Sequence, residues 1–244
     1  MTGANGWAGT MLLRPGLMMM TGEVGATALH AHHTVQVLTS ESTFRIGDAH
    51  GATSSCRAVV IPPNTSHRVV QGAGASTLIH VAPEAAVATV LCPEPADTVD
   101  VWVRHGARFA ADPIRTAAVA AGAVEPVRTT WHPALRRARA ELPELLAEGP
   151  VRLGEVARRV QLSESRLAHL FSAEVGLPFR AYVRWLRMQR AVRLVAAGRT
   201  LTEAAHGAGF ADSAHLNRVC HSMFGAAPSD FGHLRLVDEP GRDS

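Results

Sequence analysis

Two patterns of hydrophobic and polar positions divide this chain. In the first hundred residues, short runs rich in β-branched residues alternate with Gly, Pro, Ser and Thr, as in TVQVL, RAVVIPP and STLIHVAP. Runs of this length and spacing predict the strands of a small barrel or sandwich. From about His132 onward, apolar residues recur at helical spacing, which predicts an all-α region.

The helical region contains an internal repeat. LGEVARRVQL (153–162) and LTEAAHGAGF (201–210) align at an offset of 48 residues, which becomes 49 after one extra residue in the turn. Each copy predicts a helix, a tight turn, a second helix and a glycine stop. The second helices are expected at about 163–175 and 212–224, the first capped by Ser163 and the other by Asp212 or Ser213.

Each second helix has one apolar face, with small and hydrogen-bonding residues opposite. This pattern is typical of a helix-turn-helix, whose second helix enters the DNA major groove. Residues 179–198 predict a third amphipathic helix between the copies, about 28 Å long. Successive major grooves lie about 34 Å apart. A single linker helix of this length can therefore hold two DNA-contacting helices in neighbouring grooves. The apolar faces consist of Leu167, Leu170, Phe171 and Val175, and of Leu216, Val219, Cys220, Met223 and Phe224.

The stretch from about Pro133 to His233 resembles the DNA-binding domain of the AraC/XylS family of bacterial transcription regulators. The shared marks are LGEVARRVQLSESRLAHLFSAEVGLPFRAYV, then RMQRAVRLV, then GFADSAHLNRVCHSMFGAAPSDF. The second copy departs from the family's pattern at three points. Cys220 replaces the usual aromatic residue, and Gly207 and Ala208 weaken the helix before the turn. The closing SDFG lacks the family's common Tyr-Arg. The resemblance implies transcription regulation, with activation as the working expectation although the sequence does not distinguish activator from repressor. It also implies double-stranded DNA and RNA polymerase as partners, and dimerisation of the chain with itself.

The resemblance also assigns DNA-contacting positions in both copies. A surface that fits base edges favours small residues, hydroxyls and donors such as His and Arg. Arg218 is the strongest candidate for a bidentate contact to guanine, the alternative being a salt bridge to Asp212; His169 can also be a solvated surface residue. The assigned set is Ser165, Arg166, Ala168 and His169 in the first copy and Ser213, Ala214, His215, Asn217 and Arg218 in the second.

Four arginines of this region have two interpretations. Arg166, Arg180, Arg184 and Arg187 either contact DNA phosphates or hold the two subdomains together. Phosphate contacts supply affinity without sequence information. Arg187 matches the family's linker arginine, for which the structural role is favoured.

The front of the chain resembles the two motifs of the cupin barrel, a sensor commonly attached to this family. In GATALHAHHTVQ and VVIPPNTSH, the residues His30, His32, Gln36 and His67 fall on the cupin metal positions. Two imidazoles at i and i+2 of a strand point the same way and suit Fe, Mn, Ni or Zn. Gln36 stands where metal cupins usually keep Glu, Asn64 replaces a glycine, and the neighbouring His33 blurs which histidines face inward. A divalent metal site, a metal-free small-molecule pocket and a structural role all remain open, and the effector is unidentified.

Composition places these motifs in a two-domain protein. Residues 1–132 carry 8 Arg and 9 acidic residues, whereas residues 133–244 carry 16 Arg and 12 acidic residues, so only the second half favours a polyanion. Three widely spaced cysteines predict no disulfide framework, and the absence of a signal or spanning segment predicts a cytoplasmic protein without a membrane partner.

The predicted plan combines an all-β cupin-like barrel with an all-α double helix-turn-helix unit. We expect a protein of this plan not to be an enzyme. The alternative function is that of a metal-dependent cupin enzyme with an appended DNA-binding domain. The plan has a cupin-like effector and dimerisation domain over 1–100, a linker with short helices over 101–132, the double helix-turn-helix domain over 133–236 and a disordered tail over 237–244.

Overall fold

The structure, a computed structural model, describes residues 7–14, 16–83, 85–92, 98–110, 131–231 and 233–237. The chain divides into two compact units. One unit joins Met1–Glu125 with Asn217–Ser244, and the other is Pro126–Leu216. The predicted short helix in TAAVAAGAV and, except for Val237, the predicted tail lie outside the described residues.

The first unit is built on a seven-stranded sheet. The strands are β1 (Ala8–Arg14), β2 (Leu17–Val24), β3 (Val35–Asp48), β4 (Thr53–Ile61), β5 (His67–Gln71), β6 (Ala73–Val81) and β7 (His233–Leu236). Their order in the sheet is β4-β3-β6-β2-β1-β7, with β5 paired to β3 outside this order. All pairs are antiparallel except that of β1 with β7, which is parallel.

The predicted closed barrel is wrong, because the sheet is open. A barrel requires the first and last strands of the order to pair. Among the described strands, the outer edge of β1 pairs with β7, and β4 pairs only with β3. The long β3 pairs with β4 and β6 near its start and with β4 and β5 near its end, and a register shift falls between Thr39 and Phe44. Short strands at even spacing do not specify which edges pair.

The two faces of the central strands differ in chemistry. Val37 of β3 lies opposite Ile79 of β6, and both side chains are fully buried in an apolar cluster. The helix α1 (Ala86–Leu91) contributes to this cluster. Because side chains alternate between faces, the neighbouring pair Gln36 and His80 lies on the opposite face. A second helix, α2 (Val99–Ala107), carries the fully buried Trp102.

The second unit is helical, as the sequence predicts. The helices from residue 133 onward are α3 (Pro133–Glu148), α4 (Leu153–Arg159), α5 (Glu164–Leu170), α6 (Phe179–Ala196), α7 (Leu201–Gly207) and α8 (Ser213–Phe224), and the last of them extends beyond the second unit. The apolar core of the unit includes Leu135 and Leu142 of α3, Val156 of α4, and Leu167 and Phe171. The helix α5 ends at Leu170 and continues as one π-helical turn, Phe171–Val175.

The predicted helix boundaries in the repeat are confirmed. The hydroxyl of Ser163 accepts a hydrogen bond from the Arg166 N–H, and Gly176 ends the π-helical turn at φ 77°. In the second copy, Asp212 rather than Ser213 is the cap, because its carboxylate accepts from the His215 N–H over 2.6 Å. Both caps supply an acceptor for a backbone N–H that has no partner inside the helix.

The last helix and the segment after it depart from the predicted domain plan. The residues of α8 from Asn217 onward group with the first unit, and a short 3-10 helix, Pro228–Phe231, precedes β7. β7 pairs with β1, although its residues fall within the predicted helical domain. None of the described helices is both long and apolar enough to span a bilayer.

Candidate DNA-contacting surfaces and a buried histidine cluster

The first candidate DNA-contacting face lies on α5. Leu167 and Leu170 are buried, whereas Ser165, Arg166 and His169 are exposed. Ala168 is half-buried. One face of the helix therefore holds it in the core, and the hydroxyl, guanidinium and imidazole on the other side remain available to a ligand.

The second candidate face lies on α8. Ala214, Asn217 and Arg218 are exposed, while Ser213 and His215 are half-buried. Exposed small and hydrogen-bonding side chains therefore occupy the N-terminal part of this helix, as the sequence pattern predicts.

His215 and Asp212 make contacts with residues at or just before the start of α8. The ring of His215 packs edge-on against Phe210 at a centroid distance of 5.3 Å, and the Asp212 carboxylate caps the helix. Arg218 is exposed and forms no ion pair with any described residue. The guanidinium of Arg218 is thus available for a base or a phosphate.

Two arginines of the long helix α6 pack against the second repeat. Arg190 donates from Nε to the carbonyl oxygen of Gly207 over 2.6 Å. A side chain at Gly209 would meet Arg187 Nε at 3.2 Å, and burial lowers the pKa of Arg187. Arg180 and Arg184 are exposed. Arg187 therefore has the environment of a packing residue, whereas Arg180 and Arg184 face solvent.

The four candidate effector residues come together in one buried cluster. His30 is 7% exposed, Gln36 3%, His32 1% and His67 fully buried. One ring nitrogen from each histidine belongs to a set whose members all lie within 4.8 Å of one another. An isolated β-bridge joins His30 to His67 and aligns their two segments.

A fourth buried imidazole, His80, lies beside these residues, although its sequence context does not indicate it. It lies directly opposite Gln36 across β3 and β6, and its ring meets that of His32 edge-on at 4.6 Å. The hydroxyl of Thr34 lies 2.9 Å from His80 Nδ1 and 3.1 Å from His32 Nδ1. The run STLIHVAP indicates a strand, but only the register of β6 on β3 places His80 beside the others.

His33 does not belong to the cluster. It is half-buried, and its Nδ1 pairs with the side-chain oxygen of Asn64. Asn64 adopts a left-handed conformation at φ 59°, which Asn tolerates better than most residues and which explains why it can stand in for glycine. The inward-facing histidines of the first motif are therefore His30 and His32.

Each of the three clustered histidines is held by a backbone carbonyl. His30 Nδ1 lies 2.9 Å from the Ala28 oxygen, His32 Nδ1 lies 2.9 Å from the Thr34 oxygen, and His67 Nδ1 lies 2.8 Å from the Thr65 oxygen. Gln36 Oε1 lies 2.7 Å from His32 Nε2 and 3.3 Å from His67 Nε2.

Burial keeps these imidazoles neutral. Desolvation lowers the pKa of His30 to about 4 and that of His32 to about 3. The pKa values of His67 and His80 lie well below 6.5, again chiefly through desolvation and also through repulsion from the neighbouring imidazoles. A neutral imidazole is the form that binds a metal ion or accepts a hydrogen bond.

The helical repeat is similar in sequence to known proteins. Residues 156–233 match a family model described as a helix-turn-helix domain. The arabinose operon regulatory protein of Escherichia coli (strain K12) is 29% identical over 113 residues, which make up 44% of this chain and 39% of that protein. This chain carries the helix-turn-helix domain of the AraC/XylS family.

Two further proteins show the extent of the similarity. The Msm operon regulatory protein of Streptococcus mutans serotype c is 28% identical over 82 residues, covering 33% of this chain and 30% of that protein. The crystal structure of ToxT from Vibrio cholerae O395 is similar over 89% of this chain and 97% of that chain, at 11% identity and a TM-score of 0.48. The matched segments span less than half the length of these curated relatives.

Proposed function

We propose that this protein is a sequence-specific DNA-binding regulator of transcription that responds to an effector bound by its β-sheet unit. The observation that carries the proposal is the exposed face of α5, where Ser165, Arg166 and His169 stand opposite a buried apolar face. The repeat supplies a comparable exposed set on α8. Two capped helices of this kind suit two major-groove contacts.

Base recognition is assigned to the polar and small residues of these two helices. Arg218 offers the bidentate donor pair that matches guanine O6 and N7, and Asn217 can pair with adenine. Ala168 and Ala214 offer apolar contact to a thymine methyl group. Ser165, His169, Ser213 and His215 complete the set as hydroxyl and imidazole partners.

Phosphate contacts are assigned to arginines that face solvent. Arg166, Arg180 and Arg184 are exposed and positively charged. Such contacts position a protein on the duplex and make its affinity fall steeply with added salt. RNA polymerase and a second copy of the chain are further partners that we propose from the family resemblance. The cytoplasmic location follows from the same proposal, because the protein acts on DNA.

The burial of the histidine cluster argues against a catalytic metal site. His30, the most exposed of its four residues, is only 7% exposed. Catalytic metal sites keep an open coordination position for substrate, whereas closed metal sites are structural. The cluster therefore does not favour the metal-dependent enzyme considered from the sequence.

Selection of DNA from a random pool tests the proposed function. The full chain should enrich a site with two separate sequence blocks, and Arg218→Ala should lose preference at one base pair in the second block. Arg158→Ala, which removes an exposed arginine of α4, is the matched control and should retain both blocks. Recovery of DNA without any shared sequence would contradict sequence-specific regulation.

A further inference from the structure

The first DNA-contacting helix begins with a carboxylate. Glu164 is the first residue of α5, directly after the cap Ser163, and it is exposed. It forms no ion pair or hydrogen bond with another residue in the described ranges. In a helix-turn-helix, the N-terminal residues of the second helix contact base edges. Glu164 therefore occupies a position at which this type of helix contacts bases, and its charge is unpaired.

The side chain of Glu164 packs against the backbone of α4 at Gly154. A Cβ atom added to Gly154 would clash with Glu164 Oε1 and lie 2.9 Å from Glu164 Cδ. The carboxylate thus fills space that glycine leaves open and any other residue would occupy. Gly154, Ser163, Glu164 and Ala168 line one groove. The carboxylate therefore lies in the same groove as Ala168, which is assigned to base contact.

The second repeat lacks this arrangement. In the alignment of the two copies, Thr202 of α7 corresponds to Gly154, and Ser213 of α8 corresponds to Glu164. The first copy combines the smallest residue with a long acidic one, whereas the second combines a β-branched residue with a short hydroxyl. A carboxylate at this helix position is therefore specific to the first copy, and its effect should be limited to one of the two DNA contacts.

A carboxylate distinguishes bases by the hydrogen bonds that it cannot make. When ionised, it only accepts. In the major groove, cytosine presents the N4 donor that Glu matches, whereas guanine O6 and N7 and thymine O4 only accept. A carboxylate opposite guanine or thymine would face acceptors without a proton between them, and desolvating it there is costly. An unpaired Glu at this position therefore favours cytosine.

We propose that Glu164 is a specificity-determining residue that accepts a hydrogen bond from cytosine N4 in one of the two sequence blocks. The inference rests on the proposed function and adds an acceptor to the base-contacting set of its first helix. The same charge repels phosphates, so it lowers affinity for all DNA, and the hydrogen bond from the correct base offsets this repulsion. Glu164 thus selects one sequence partly by weakening the binding of others.

A purely structural role for Glu164 makes a different prediction. A carboxylate in the first turn of a helix interacts favourably with the helix dipole. That interaction depends on the charge near the N-terminus, and aspartate supplies it as glutamate does. Glu164→Asp shortens the side chain by one methylene group, so it should retain the stability of the chain and lose the base preference. Retention of both would contradict base contact by Glu164.

Selection of DNA with the full chain, followed by titration of sites that differ at single base pairs, tests the assignment. The wild-type chain should prefer cytosine at one position of the block that Arg218→Ala leaves intact. Glu164→Ala should reduce this preference by about fivefold. It should also bind unrelated DNA about twofold more tightly, because one charge that repels phosphates is removed. Glu144→Ala, which removes an exposed acid of α3, is the control and should change neither quantity.

Gly154→Ala tests the position of the carboxylate without removing it. Alanine favours helix more than glycine does, so α4 should be at least as stable as before. The added methyl group displaces the carboxylate and should weaken the cytosine preference at the same base pair. An unaltered preference would contradict positioning of Glu164 by Gly154.

Failure of this inference is distinguishable from failure of the proposed function. Two selected blocks whose base preferences are the same in the wild-type chain and in Glu164→Ala would overturn the role of Glu164 and leave sequence-specific regulation standing. A first block without any cytosine preference would have the same meaning. Recovery of DNA without a shared sequence would refute the proposed function itself.

Discussion

Arg190 Nε donates a hydrogen bond to the carbonyl oxygen of Gly207 over 2.6 Å. This bond joins the long helix α6 to the last residue of α7, where backbone carbonyls have no partner inside the helix. It is charge-assisted, which makes it stronger than a bond between neutral groups. The first helix of the second repeat is thus tied to the linker helix by a side chain.

Arg190→Met should loosen the second repeat. Methionine keeps the length of the aliphatic chain but cannot donate, so we expect a loss of about 1 kcal/mol of unfolding free energy. Hydrogen exchange in α7 should become faster. Arg184→Met, on the exposed side of the same helix, is the control, and equal losses in both variants would refute a specific role for the Arg190 bond.

Asp212→Ala should weaken α8 at its start. The carboxylate accepts a hydrogen bond from the His215 N–H, and removal of such a cap costs about 0.5–2 kcal/mol. Asp212→Asn keeps an acceptor and should retain most of the stability. Chemical denaturation of the three proteins measures the difference, and an Asn variant as unstable as the Ala variant would contradict the capping role.

Arg218→Ala should lower affinity for the selected site by about 1–3 kcal/mol and relax preference at one base pair. The physical reason is the loss of a bidentate donor pair, which lysine cannot replace, so Arg218→Lys should not restore the preference. Titration of DNA variants that differ at single base pairs measures this. A uniform loss across all sequences would reassign Arg218 to a phosphate contact.

Acidification should destabilise the sheet unit through its neutral histidines. The pKa values of His30 and His32, about 4 and 3, lie below the ordinary 6.5 that these side chains have in the unfolded chain. As the pH falls below about 6.5, the unfolded chain binds protons that the folded chain does not, and the unfolding free energy decreases. This stability is fully present above about pH 6.5.

Urea denaturation in chelator at about pH 7.5 and about pH 5 measures this loss. His32→Gln removes one of the depressed groups, so its stability should decrease less between the two pH values than that of the wild-type chain. His50→Gln is the control and should behave as the wild type does. Identical pH dependence in all three proteins would show that the buried imidazoles do not govern acid sensitivity.

The helical repeat was predictable because its signals are local. Ser163, Asp212 and Gly176 each act within one turn of the helix they begin or end, and apolar periodicity marks the buried faces. The resemblance to the two cupin motifs, rather than periodicity, singled out His30, His32 and His67. Local signals thus identified the helices and their caps, and the resemblance identified most of the histidine cluster.

The open sheet and the fourth imidazole depend on pairing between distant segments. β7 joins β1 across more than two hundred residues, and no periodicity in HLRL indicates that partner. His80 reaches the cluster only because β6 pairs with β3 in the register that sets it opposite Gln36. A shift of one residue would turn it to the other face, so the sequence pattern alone could not place it.

Hydroxyl-radical footprinting on a selected site tests the central claim most directly. Two helix-turn-helix units in neighbouring grooves predict two protected patches on one face of the duplex, separated by about 10–10.5 base pairs. Arg218→Ala should weaken one patch and leave the other. Continuous, uniform protection, or a single patch unaffected by substitutions in α8, would contradict the account.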